Sequence, residues 1–151
     1  MALITYFKTN LKCPRCGAEG PAWIPSHLGD LGATYVVGDC PRDDIIPSEF
    51  EATSYRVRPP AAGEPVHILL GADCENCSLS TFVDVVFDDG CIREIQPIDL
   101  DPTTLPRLHY IALDVRDMIE TITGQRLEDE SGLRADWLET LRAALEAGRR
   151  W

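Results

Sequence analysis

Two short stretches decide how this chain folds: Cys13-Pro14-Arg15-Cys16-Gly17 and Cys74-Glu75-Asn76-Cys77-Ser78. A two-residue gap lets the chain turn so that both sulfurs point at one ion, while later backbone N–H groups bond to the thiolates. Glycine after the second cysteine tolerates the left-handed backbone of that turn. Two such turns complete a tetrahedral four-sulfur shell with no open position. Cys13, Cys16, Cys74 and Cys77 are therefore read as ligands of one structural Zn²⁺ per chain. Iron is the minor alternative, because a tetrahedral S₄ shell suits it as well.

The pairs stand 57 residues apart, so the cost of bringing them together matters. Closing a loop of that length costs about 3.5 kcal/mol, whereas a structural zinc site supplies roughly 10–16 kcal/mol in small peptides. The metal wins. Three other readings compete. Disulfides using all six cysteines need an oxidising compartment. A redox dithiol belongs at a helix N-terminus in a βαβ unit, which neither pair occupies. Buried hydrophobic cysteines would not be expected to fall into two matched pairs. The remaining Cys40 and Cys91 are expected to be reduced thiols, with a second site alongside His27, His67 or His109 as the alternative.

Cys13–Gly17 matches the Cys-Pro-x-Cys-Gly hallmark of the zinc-ribbon and rubredoxin-like knuckle, which the chain resembles over its two cysteine turns and the following hairpin. The second turn departs from that pattern, with Glu75 for proline and Ser78 for glycine, and is expected to be looser. The resemblance implies zinc ligation by the same four cysteines. It implies no function, since such ribbons occur in nucleic-acid-binding proteins, enzyme appendages and interaction modules alike.

Outward from the cysteines, the fold class reads as α+β: a zinc-ribbon-type antiparallel β region over residues 1–100, with a long β insertion over about 24–70, then a helical hairpin over 101–151 packed on it. Strands are expected at Ala33–Val37, Ser54–Arg58, Val66–Leu70, Thr81–Phe87 and Cys91–Ile95. Asp88-Asp89-Gly90 between the last two supplies the positive φ angles of a tight hairpin turn. Cys40–Glu49 reads as a surface loop. Leu105, Leu108, Ile111, Val115, Met118, Ile119 and Ile122 recur at three- and four-residue spacing, predicting one helix capped by Thr104 and ended by Gly124. A second helix is expected from about Leu133 to Gly148, capped by Ser131 or Asp129.

Size and composition narrow the function. At 151 residues and 44 % apolar content, the chain can bury a core without help from a metal. No run reaches the roughly 18 apolar residues of a membrane span, and the start lacks the basic and apolar regions of a secretory signal. A cytoplasmic bacterial protein is expected. The net charge is −11, concentrated in residues 61–100, which disfavours nucleic acid and favours a basic protein partner. His27, His67 and His109 show no catalytic spacing, and phosphate-binding and nucleophile motifs are missing. Paired acids such as Asp43-Asp44 and Asp88-Asp89 read as loops and turns. Trp137 reads as core; Trp151, beside Arg149-Arg150, has no assignment. The leading expectation is a non-catalytic, zinc-stabilised protein-interaction module: an adaptor, an accessory subunit or an inhibitor of a basic partner. A nucleic-acid-binding zinc ribbon using Lys8, Lys12, Arg15 and Trp23 is the alternative, followed by a small enzyme or dithiol redox protein.

Overall fold

The computed structural model describes residues 4–28, 32–40 and 53–148. Each cysteine turn closes a β-hairpin. Strands β1 (Thr5–Lys12) and β2 (Glu19–Ser26) flank the first, and β5 (Val66–Asp73) and β6 (Ser80–Asp88) flank the second. Pairing runs from Thr5↔Ser26 to Lys12↔Glu19 in one hairpin and from Val66↔Phe87 to Asp73↔Ser80 in the other. Every paired position thus has a counterpart 61 residues later. Each hairpin also carries a parallel neighbour on its first strand: β3 (Thr34–Tyr35) on β1, and β8 (Tyr110–Ala112) on β5. Beyond these, β7 (Cys91–Pro97) pairs with β6 and β4 (Ser54–Arg56) with β8. The result is a three-stranded sheet, β2-β1-β3, and a five-stranded sheet, β4-β8-β5-β6-β7.

Strand β2 packs on β5, and alternation along the strands divides the apolar residues between two cores. Phe7 and Ile24 meet Ile68, Leu70, Val83, Val85 and Phe87 between the sheets. Leu69, Phe82 and Ile111 point the other way, into a core completed by Leu105, Leu108, Ile119, Trp137, Leu141 and Leu145. The central sheet is covered on both faces, which is why β6 reads as a continuous buried run from Phe82 to Phe87 rather than an alternating one. The covering layer lies close at Gly71, where an added Cβ would come within 3.1 Å of Val115 and 3.4 Å of Met118.

The mixed α+β architecture agrees with the sequence reading, but the C-terminal helical hairpin does not survive in the expected form. The stripe from Leu105 to Ile122 is not one helix. A 3₁₀ turn at Leu105–Arg107 gives way at Leu108 to extended backbone. Strand β8 and a second 3₁₀ turn, Leu113–Val115, follow, and only Arg116–Thr123 forms an α-helix, α1. Tyr110, Ile111 and Ala112 are all buried. Three consecutive buried residues suit a central strand with two covered faces better than one helical stripe. Thr104 does not cap a helix; its hydroxyl bonds the Asp99 carbonyl at 2.5 Å and receives the Asp101 N–H at 3.0 Å. Gly124 ends α1 in the left-handed region, as expected. Helix α2 (Trp137–Ala147) stops at Gly148, with Asp136 at its N-cap position. Asp129 and Ser131 instead bond each other in the turn between β9 (Glu128–Asp129) and β10 (Gly132–Leu133). Most of the loop expected at Cys40–Glu49, with Asp43-Asp44, and the C-terminal Arg149-Arg150-Trp151 lie outside the described residues.

Candidate metal centre

The two hairpin ends converge. Cys13 Sγ lies 3.5 Å from Cys77 Sγ, and Cys16 Sγ lies 3.7 Å from Cys74 Sγ. All four sulfurs fall within 4.8 Å of one another, an arrangement that can hold a metal ion. Four sulfurs placed tetrahedrally at about 2.3 Å from a central ion are about 3.8 Å apart, close to the two short separations here. Cys13 is buried and Cys16 exposed, so the cluster sits at the rim of the fold.

The two turns have the same backbone closure. Cys13 N–H donates to the Ala18 carbonyl at 2.9 Å and Gly17 N–H to the Cys13 carbonyl at 3.0 Å; Cys74 with Leu79 and Ser78 with Cys74 repeat this at 2.8 Å each. Gly17 has φ +73° and Ser78 φ +63°. The second turn is therefore not looser than the first, contrary to expectation. Ser78 takes the left-handed conformation that glycine takes at the equivalent position, at a cost of about 1 kcal/mol.

Local donors favour thiolates at two of the positions. The Asn76 side chain, then the Ala18 backbone N–H, bring Cys16 down to about 6. The Leu79 backbone N–H lowers Cys77 below its ordinary value, with the Arg15 guanidinium adding to it. N–H groups of Cys77 and Asn76 favour a Cys74 thiolate, yet desolvation and the sulfurs of Cys16 and Cys77 outweigh them and hold this thiol above its ordinary value. Four sulfurs at this spacing repel one another as anions, and a cation between them is what would let all four ionise.

Cys40 and Cys91 are not the separate reduced thiols expected from the sequence, nor part of a second metal site. They form a disulfide. Gly38 N–H donates to the Ile92 carbonyl and Ile92 N–H to the Asp39 carbonyl, both at 2.8 Å, which lays the segment before Cys40 along the start of β7.

The histidines do not join the cysteines. His27 Nδ1 lies 2.6 Å from Asp114 Oδ1. His67 and His109 stand side by side, ring centroids 5.8 Å apart, in a polar chain that no local motif announces. Asp84, 1 % exposed, accepts from His67 Nδ1 at 2.8 Å. The His67 backbone N–H donates to His109 Nδ1 at 3.0 Å, so the proton of this fully buried ring sits on Nε2. Nε2 faces Glu64 Oε1 at 3.1 Å, off the line of a good hydrogen bond. Arg58 grips both Glu64 oxygens, at 3.2 and 2.9 Å. Among the described residues only the four cysteines gather as a metal-ligating group. Trp137 is buried, as expected. Trp23 is exposed, with Lys8 Nζ 4.6 Å from its ring centroid and Tyr6 edge-on at 5.8 Å.

Comparison with protein-family models, with curated proteins and with solved structures finds no match. The site therefore stands on its own chemistry. No helix among the described residues is long and apolar enough to cross a membrane.

Proposed function

We propose that the protein is a non-catalytic, zinc-stabilised protein-interaction module, an adaptor, accessory subunit or inhibitor, with zinc-ribbon-like knuckles. The observation that carries this reading is the closed set of four sulfurs at the joined ends of two hairpins. Such a set leaves no position for water or substrate, and zinc bound this way acts as a tie between chain segments. Zinc is favoured over iron because the role asks for geometry and no redox chemistry. The charge of −11 favours a partner with a basic surface.

Elemental analysis and affinity capture test the reading together. One zinc per chain and a specific protein partner are expected. Recovery of nucleic acid without protein, or of iron in place of zinc, overturns the corresponding part. A nucleic-acid role has one observation in its favour, the Lys8–Trp23 stack on the outer face of the small sheet. It requires gel shifts that weaken steeply as salt rises.

A further inference from the structure

Between the two sheets, Phe7, Ile24, Ile68 and Leu70 fill the core. Toward the cysteines the inward positions of the same strands shrink to Gly20, Ala22 and Ala72, and a cleft of about 260 Å³ opens there. Leu11 and Pro97 complete its apolar wall, and Glu19, Asp73 and Glu75 line it against a single Lys12. A Cβ built on Gly20 meets nothing within 4 Å, so this part of the wall is open space. An apolar cavity of about 150 Å³ already accepts benzene, whereas whole small-molecule sites start near 300 Å³. The cleft therefore has the size of one aromatic side chain.

We infer that this cleft is the docking site for a peptide segment of a protein partner that presents one aromatic side chain beside lysine or arginine residues. The inference rests on the interaction-module reading and names the surface it uses. An aromatic anchor in a desolvated pocket is a common source of interface affinity, and three acidic residues against one lysine in the lining favour cations around it. The walls come from both hairpins and β7, so the cysteine centre that joins the hairpins also sets the width of the cleft.

The test uses the full chain and a fluorescein-labelled Gly-Ser-Lys-Arg-Trp-Arg-Lys-Ser-Gly probe, followed by fluorescence anisotropy at about 0.15 M salt, where exposed charge attraction is screened. Saturable binding is expected. It weakens about tenfold or more when the probe tryptophan becomes alanine or when Gly20→Leu fills the cleft. Gly20→Leu has open space for its side chain and leaves the sheet pairing intact, which a thermal melt verifies. Glu19→Lys, an exposed change, weakens binding independently of packing. No saturation, or equal binding by wild type and Gly20→Leu, overturns the inference. Affinity capture with both proteins as bait separates the two readings. A partner retained by Gly20→Leu sinks the cleft and leaves the module reading standing, while no partner with either bait sinks both. A dimer that Gly20→Leu dissociates, with no probe bound, assigns the cleft to a second copy and overturns the proposal.

Discussion

Arg15, in the first cysteine turn, donates a hydrogen bond from its guanidinium to the carbonyl of Cys77, 2.8 Å away in the second. The contact ties the hairpins together one layer outside the sulfurs, where groups around a metal site orient its ligands. Arg15→Ala is expected to leave zinc bound but to speed its loss to a chelator about tenfold, at the lower end of the roughly 10–100-fold range of such positions. Colorimetric zinc release against time checks this, and unchanged kinetics would remove Arg15 from the account.

Cys13→Ser and Cys74→Ser each break the four-sulfur set and are expected to abolish stoichiometric zinc. Loss of about 3 kcal/mol lowers the melting temperature by roughly 6–12 °C in a chain of this size. Metal analysis and calorimetry measure the two effects. The Ser variant in either hairpin should behave alike, because the turns are equivalent.

Thiol counting distinguishes the two kinds of cysteine. Denatured protein treated with chelator alone should expose four alkylatable thiols, and six once a reductant is added, since Cys40 and Cys91 are joined. Cys40→Ser and Cys91→Ser remove a cross-link over 51 residues, worth at most about 4 kcal/mol by loop entropy. Urea denaturation reads the loss.

His109 makes stability fall in mild acid. Burial holds its pKa below the ordinary value, although Glu64 pulls the other way. The unfolded chain then binds the proton more readily, so the stabilisation is complete above about pH 6.5 and is lost as pH falls through the lowered value. Arg58 keeps Glu64 at about 2, so this carboxylate stays charged through that window. Asp84 acts in the opposite sense: burial raises it despite His67, and its protonation favours the folded form. Urea midpoints measured from pH 8 to 4 should decline below pH 6.5, and more steeply in Asp84→Asn than in wild type at the acid end.

Leu69→Ala and Ile111→Ala test the double-faced central sheet. Both residues are fully buried on the helix side, and each truncation is expected to cost about 2–5 kcal/mol without loss of zinc. Chemical denaturation and metal analysis together separate core damage from site damage.

The cysteine spacing announced the centre because Cys-x-x-Cys carries its own turn chemistry, and the five strands β3 to β7, between Ala33 and Pro97, were visible as apolar or β-branched runs. Strands β1 and β2 were not. Lys8, Asn10 and Lys12 alternate with residues of unequal size, and Pro21 and Pro25 interrupt β2, so neither strand looks like a strand until the knuckle fixes its register. The Leu105–Ile122 stripe misled for a different reason: its members do line one core, but a 3₁₀ turn, strand β8 and a second 3₁₀ turn bring Leu105, Ile111 and Val115 there, and only Met118, Ile119 and Ile122 stand on an α-helix. Cys40 and Cys91 carry no local signal, since their meeting depends on backbone pairing at Ile92. The polar chain from Arg58 to Asp84 was equally hidden, being assembled from four separate segments.

The correspondence of 61 residues between the hairpins has a consequence for assembly. Either half owns two sulfurs and can at best hold an ion loosely, or share it with a second half from another molecule. Placing both halves on one polypeptide replaces that encounter by a tethered one at high effective concentration. An ion held by all four sulfurs would thus require that distant parts of the chain have already docked correctly.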